Sequence, residues 1–206
     1  MKVQHVITTL DVGGAEVHLL SQVRGQVSRG HEVRVAYLKG DGRLTPEFLE
    51  AGAKTVERVS PLGLLIRLRW ADINHTHLLK ADMLTAFLSL PTFSWGRLIS
   101  SKHNDERPLL KKVFSRIHGV LGRLPRRTII LSKHVVDFFE EHGRLPRSRM
   151  VQIYYGLDPS PFEEAVEISP EMRAEGRAKL GIEESDCVLI CVARFAPQKR
   201  HDLLLE

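Results

Sequence analysis

Short apolar runs typical of strands alternate with longer amphipathic segments of helical periodicity from the amino terminus to about residue 155. The predicted strands are 3–8, 32–38, 55–59, 72–76, 97–101, 128–132 and 149–154, and the predicted helices are 15–28, 44–51, 62–70, 80–90, 109–124 and 135–142. Strands that alternate with helices pair in parallel through right-handed crossovers. The pattern therefore predicts an α/β fold, a doubly wound parallel sheet.

The pattern changes after residue 156, where prolines and acidic residues become frequent. One short helix is expected near 171–180, then a strand over 187–192 and a helix beginning at His201. A lone strand and part of a helix are too little for a domain, so we expect the natural sequence to continue. The predicted organisation is an N-terminal domain, 1–156, a linker, 157–186, and the start of a truncated second domain, 187–206.

The composition is that of a soluble globular protein, with 43% hydrophobic and 27% charged residues. The N-terminus has none of the regions of a secretory signal, and the longest uncharged apolar stretch, 83–95, is too short to span a bilayer. A cytoplasmic location is therefore expected. Cys187 and Cys191 are interpreted as core thiols in a reducing compartment.

The net charge of +5 and the pI near 9.4 indicate an anionic partner, which can be nucleic acid, a phospholipid surface or a diphosphate. Basic residues interrupt the apolar positions of the segment from Arg107 to Arg127, and Arg67, Arg69 and Trp70 form a second basic group. Such a helix either lies on an anionic membrane or packs its apolar face on the sheet, which is the commoner arrangement. No nucleic-acid motif is present, so we place lipid ahead of nucleic acid.

Two loops are candidates for binding phosphate. Gly13 and Gly14 lie between the first strand and the first helix, where backbone amides can approach a phosphate, although a tight turn alone also requires glycine. The three spaced glycines of a dinucleotide fingerprint are incomplete here. Arg194, Lys199 and Arg200 follow the strand expected at 187–192 and can either clamp a diphosphate or form a solvated basic loop.

Three histidines follow or end predicted strands at the edge where such sheets bind ligands, namely His75, His77 and His103. A neutral imidazole can accept a proton or a hydrogen bond from a sugar hydroxyl. His75 is interpreted as a core histidine that is satisfied by hydrogen bonds. No third ligand at a suitable spacing supports a zinc site, so no metal is expected.

Taken together and in this order, five segments resemble glycosyltransferase family 4, a large group of retaining enzymes with two Rossmann-like domains, the GT-B type. The segments are Gly13-Gly14-Ala15-Glu16, Asp72-Ile73-Asn74-His75-Thr76-His77, Ser101-Lys102-His103-Asn104, Ser132-Lys133-His134-Val135 and Ile153-Tyr154-Tyr155-Gly156-Leu157-Asp158. Ala193 and Arg200 depart from the family, which commonly has glycine at both positions.

The resemblance implies that a sugar passes from a nucleotide-sugar donor to a glycan or lipid-linked acceptor with retention of configuration, without a metal or other cofactor. It assigns Gly13 and Gly14 to the donor diphosphate, Arg194 and Lys199 to the departing nucleoside diphosphate, and His103 to catalysis. His77 is the candidate for the acceptor side. The alternatives are a sugar-nucleotide epimerase of the GT-B type and a non-catalytic module that binds acceptor or membrane. We expect the 206-residue chain to be inactive alone.

Overall fold

The computed structural model describes residues 1–156, 168–193, 195 and 199–206. The chain divides into two compact units, 1–156 and 157–206.

The first unit is built on a seven-stranded sheet in which every neighbouring pair of strands is parallel. The strands are β1 (Lys2–Ile7), β2 (Glu32–Tyr37), β3 (Thr55–Arg58), β4 (Ile73–His77), β5 (Leu98–Lys102), β6 (Arg127–Ile130) and β7 (Met150–Gln152). Their order, β3-β2-β1-β4-β5-β6-β7, winds outward from the adjacent strands β1 and β4 in both directions. The predicted doubly wound α/β fold is confirmed.

Helices connect the strands as the alternating pattern predicted. They are α1 (Gly14–Ser28), α2 (Thr45–Glu50), α3 (Pro61–Arg67), α4 (Leu79–Thr92), α5 (Lys112–Leu121) and α6 (Lys133–Glu141). The helix expected over 109–124 is shorter than predicted, because Arg107–Leu110 forms a separate 3₁₀ turn and Lys111 between the two is extended. The helix ends at Gly122, where a Cβ atom would approach the His118 carbonyl oxygen to 2.7 Å.

Alternating side chains of the strands pack against two helical layers. On one face Val3 and Ile7 of β1 join Leu19 and Val23 of α1 in a buried cluster. On the other face Val6 packs in a separate cluster with residues of α3 and α4. Because the side-chain period of a strand is two, His5, between Val3 and Ile7, faces α1.

Helix α5 packs in the opposite sense to the one that was expected. Its buried residues are Ser115, His118 and Gly119, while its apolar side chains point outward, and Val113 and Val120 are 66% and 71% exposed. The small residues allow close packing, since a Cβ on Gly119 would lie 3.1 Å from the Arg144 side chain. The expectation that this helix buries its apolar face is therefore wrong.

The second unit contains α7 (Pro170–Lys179) and α8 (His201–Leu205). The strand expected over 187–192 is absent from these residues, and their apolar side chains are largely exposed. A strand needs a partner for its backbone hydrogen bonds, and no other strand lies in the described part of this unit. Cys187 and Cys191 are exposed, so their interpretation as core thiols is also wrong.

Candidate functional site

The carboxyl ends of β1, β4 and β5 meet at the point where the sheet changes its winding direction. In open α/β sheets ligands bind in the crevice outside this point, because the connections diverge there. The Gly13-Gly14 turn follows β1, His77 ends β4, and His103 follows β5. The structure thus brings the glycine turn and both site histidines to one edge of the first unit.

The register of β1 and β4 gathers three buried histidines under α1. His5 is paired with His75 across the two parallel strands, and His77 lies two residues further along β4 on the same face. His75 Nε2 lies 2.7 Å from Ser101 Oγ on β5, a hydrogen bond expected of a core histidine. All three imidazoles are buried.

A continuous hydrogen-bonded chain of side chains runs from α1 through these strands to the edge of the sheet. Gln26 Oε1 lies 2.8 Å from His5 Nε2, His5 Nδ1 lies 3.1 Å from His77 Nε2, and His77 Nδ1 lies 3.0 Å from His103 Nε2. His103 Nδ1 then meets the hydroxyl of Tyr155. We call Gln26, His5, His77, His103 and Tyr155 the histidine chain.

Burial keeps the imidazoles of the histidine chain neutral. Desolvation lowers the pKa of His5 to about 4, against a weaker opposing effect of the hydrogen bond to Gln26. It lowers the pKa of His103 to about 3, helped by the nearby His18 and Lys102, and it lowers the pKa of His77 well below its usual range. A neutral imidazole has one N–H donor and one lone pair, so each ring here can both donate and accept one hydrogen bond.

The same cluster has the geometry of a metal site. His5, His75 and His77 each offer one ring nitrogen, and these atoms lie within 4.8 Å of one another. His5 is the third ligand that no spacing in the sequence indicated, because 72 positions separate it from His77. Both ring nitrogens of His5 and of His77 already take part in hydrogen bonds, so a metal held by all three histidines would displace at least one of these bonds.

The glycine turn presents one open and one occupied position. Gly14 is the first residue of α1, and a Cβ placed on it would meet no atom within 4 Å. A Cβ on Gly13 would lie only 2.6 Å from a Glu16 carboxylate oxygen, and Glu16 in turn accepts a hydrogen bond of 2.8 Å from the Thr9 hydroxyl. The backbone at Gly14 is therefore the accessible part of the turn.

Residues beside the glycine turn connect it to the histidine chain. The His18 ring, on the second turn of α1, lies 4.0 Å from the Tyr155 ring and 6.1 Å from the His103 ring, centroid to centroid. Burial, together with the negative charge of Glu16, raises the pKa of Tyr155 to about 12, so its hydroxyl keeps its proton. Sequence patterns singled out neither His18 nor Gln26.

The turn after His77 is strained. Leu78 has φ of 68°, a backbone conformation that side chains with a Cβ rarely adopt. The following amide, of Leu79, donates a 3.0 Å hydrogen bond to Glu106, whose pKa is raised by the partial burial of its carboxyl group. Strained residues of this kind concentrate at functional sites, where the surrounding structure holds them.

The basic loop of the second unit is only partly described. Arg194 lies outside the described residues, and Lys199 is exposed. Arg200 forms an ion pair with Asp202. The assignment of Arg194 and Lys199 to a diphosphate stays a prediction.

The family model of Glycosyltransferase Family 4 matches residues 12–161. An uncharacterised glycosyltransferase of Methanocaldococcus jannaschii is 22% identical over 94% of the chain and 55% of its own length. Crystal structures show the same fold: HepE of Anabaena in complex with UDP gives a TM-score of 0.70 at 19% identity, over 88% of this chain and 50% of that one. A glycosyltransferase of Rickettsia africae gives 0.64 at 14% identity, over 89% and 50%.

The chain thus spans about half the length of the relatives that it matches. None of the helices in the described ranges has both the length and the apolar character needed to cross a bilayer.

Proposed function

Since the chain belongs to glycosyltransferase family 4, we propose that it supplies the acceptor-side domain of a retaining GT-B enzyme, which transfers a sugar from a nucleotide donor to a glycan or lipid-linked acceptor. The observation that carries the proposal is the contact between His77 and His103 at the switch point of the sheet, on the same edge as the open backbone of Gly14. Structures of HepE in complex with UDP and with UDP-glucose make a UDP-sugar the first donor to test.

Each proposed role follows from the charge that develops during transfer. The bond between the anomeric carbon of the sugar and the donor phosphate oxygen breaks, a bond from that carbon to the acceptor oxygen forms, and the acceptor proton passes to the departing diphosphate. Negative charge grows on the diphosphate as the first bond breaks, and cations placed for that state lower the barrier. We assign this stabilisation to Arg194 and Lys199. We further propose that the diphosphate approaches the protein backbone at Gly14. His103, neutral and at the edge of the sheet, meets the reacting sugar or the acceptor through a hydroxyl, and His77 supports it. A diphosphate held by cations in this way needs no metal.

The role of Arg194 is tested by kinetics of the full-length enzyme with a UDP-sugar. Arg194→Ala should lower kcat/KM about 100-fold or more, as the loss of a charge-stabilising group does. Arg200→Ala is the matched control, because Arg200 lies in the same loop and pairs with Asp202. Equal kinetics for Arg194→Ala and the unmodified enzyme would remove the proposed role.

The epimerase and the binding module make different predictions for the same protein. An epimerase would convert the nucleotide sugar without an acceptor, and a module would bind without turnover by the full-length protein. We expect acceptor-dependent transfer with retained anomeric configuration, which NMR of the product reads directly. We also expect the 206-residue chain to show no transfer alone, because the cleft of a GT-B enzyme has one wall from each domain.

We further propose that α5 binds an anionic lipid surface. Its outward apolar residues, among them Val113, Phe114, Ile117 and Val120, are flanked by exposed Lys112, Arg116 and Arg123, and no acidic residue lies between positions 107 and 127. Apolar side chains can enter the boundary of the acyl chains while the cations meet lipid phosphates. The second basic group is less suited to binding lipid, because two of its side chains already have partners. Arg67 pairs with Glu57, and the Trp70 ring centroid lies 3.8 Å from the Arg34 guanidinium.

Co-sedimentation with vesicles tests the lipid surface. The chain should bind vesicles that contain anionic lipid, less strongly as salt rises, and Val113→Glu/Val120→Glu should weaken binding about 10-fold or more because two apolar side chains no longer enter the membrane. Ile66→Glu, at another exposed apolar position on α3, is the control and should bind normally. Equal partitioning to neutral and anionic vesicles, or none to either, would show that α5 is not a lipid-binding surface.

A further inference from the structure

The histidine chain can carry its hydrogen bonds in either of two directions. Each neutral ring donates through one nitrogen and accepts through the other, so the direction chosen at one ring fixes the direction at the next. His5, His77 and His103 are linked in series by Nδ1-to-Nε2 contacts of 3.1 and 3.0 Å. The tautomers of the three rings are therefore coupled, and a group at one end can select all of them.

The end at Gln26 carries a group that can make that selection. Gln26 Oε1 lies 2.8 Å from His5 Nε2, and a carbonyl oxygen can only accept. His5 therefore carries its proton on Nε2 and accepts at Nδ1 from His77 Nε2–H. His77 in turn accepts at Nδ1 from His103 Nε2–H, and His103 is left with a lone pair on Nδ1.

We propose that Gln26, acting through His5 and His77, is a positioning residue that holds His103 in its Nε2–H tautomer and directs the Nδ1 lone pair at the hydroxyl that His103 meets. In the described structure that hydroxyl belongs to Tyr155. The catalytic meaning of this arrangement rests on the function proposed above, in which a sugar or acceptor hydroxyl meets the same ring. The assignment of the tautomer does not depend on that function.

The amide of Gln26 is suited to fixing the direction of the hydrogen bonds in the histidine chain, and it is poorly suited to passing protons along it. An amide oxygen is a poor base, so a proton that entered at His103 could not leave at Gln26, and the chain ends there. Desolvation lowers the pKa of both His5 and His103, which agrees with rings that stay neutral. The charged residues that shift pKa values in the chain act at its outer end, where Lys102 is next to His103 and Glu16 acts on Tyr155.

The test is the tautomer of His103 in the ¹⁵N-labelled 206-residue chain, read from ring nitrogen chemical shifts and couplings at mildly alkaline pH. The unmodified chain should show a single Nε2–H tautomer at His103. Gln26→Leu removes the acceptor from a half-buried position and should convert His103 to a mixture of both tautomers. Gln26→Glu keeps an oxygen that only accepts and should restore the single form.

Gln22→Leu is the matched control. Gln22 is on the same helix, one turn earlier, and its amide contacts His18 Nε2 at 2.9 Å, outside the histidine chain. It should leave the His103 tautomer unchanged, although His18 is a neighbour of the His103 ring. If Gln26→Leu leaves a single tautomer, or if Gln22→Leu has the same effect as Gln26→Leu, the positioning role is wrong.

A stoichiometric metal would also overturn the proposal. Metal analysis of the purified chain, with spectra recorded before and after a chelator, detects an ion held by His5, His75 and His77. Such an ion would take one ring nitrogen of His5 and one of His77 out of the histidine chain. None of these measurements uses a sugar substrate, so their failure is distinct from failure of the proposed transferase activity.

Discussion

Consecutive residues of one strand lead to two polar networks of opposite character. Ser101 of β5 and His103 just after it lie on the α1 side and contact His75 and His77, while Lys102 between them points to the opposite side. There the Lys102 ammonium binds the Asp82 carboxylate and lies 3.3 Å from His118 Nε2. The first network is neutral and reaches the edge of the sheet, whereas the second is charged and closed.

The closed network satisfies the charge that it buries. Asp82 accepts from Lys102 and from the Thr76 hydroxyl at 2.7 Å, and His118 Nδ1 lies 2.6 Å from the Gly143 carbonyl oxygen. His118 therefore donates through Nδ1 and offers a lone pair to the ammonium. Burial alone raises the pKa of Asp82, but the charge of Lys102 and the hydrogen bonds from Lys102 and Thr76 outweigh it and lower the pKa overall. The charged face thus keeps its buried charge paired inside the fold, whereas the neutral face ends in His103 at the edge of the sheet.

Breaking the charged pair should have the largest effect. Lys102→Met leaves the Asp82 carboxylate buried without its cation, which should lower the free energy of unfolding by about 3–5 kcal/mol. Urea unfolding of the 206-residue chain, followed by circular dichroism, measures this. The double variant Lys102→Met/Asp82→Leu removes both charges and should recover most of the loss. A double variant as unstable as the single one would show that the charge of Asp82 is not the cause.

Breaking the neutral chain should cost less. His77→Phe removes the central ring and leaves polar nitrogens of His5 and His103 without their partners, at a cost of about 1–3 kcal/mol. The same unfolding experiment gives this value beside that of Lys102→Met. A cost at or above that of Lys102→Met would contradict the distinction between a charged and a neutral network.

The fold was predictable because its signals are local. Alternating apolar runs and helical periodicity identified every strand of the first unit, each within a few residues. The strand expected over 187–192 is missing since an apolar run specifies a strand only when a partner strand is present. The packing of α5 differs from the prediction because the sequence pattern shows only that the helix has an apolar face. The small residues Ser115 and Gly119 determine which face packs closely.

The site was predictable only in part, because some of its contacts are not encoded by local sequence signals. His77 and His103 end or follow strands, so their meeting at the sheet edge follows from the topology. His5 and Gln26 become partners of His77 only through the β1–β4 register and the packing of α1, which no spacing in the sequence encodes. Tyr155 stood in a recognised segment, but its hydroxyl contact with His103 required the three-dimensional structure.

The smallest expected effect separates the two networks by pH. Because the pKa of His5 is about 4 in the folded chain and about 6.5 when unfolded, the unfolded state alone binds this proton between those values. Stability should therefore fall as pH falls from about 6.5, while the contribution of Asp82, whose pKa is lowered, is lost only at more acidic pH.

His5→Leu should reduce the slope of unfolding free energy against pH near pH 5–6 by up to about 1.4 kcal/mol per pH unit. His18, His75, His77 and His103 titrate in the same direction, so part of the slope remains. Lys102→Met/Asp82→Leu should keep the slope, since burial is the largest cause of the low pKa of His118. A slope that disappears in this double variant and persists in His5→Leu would assign the acid sensitivity to the charged face.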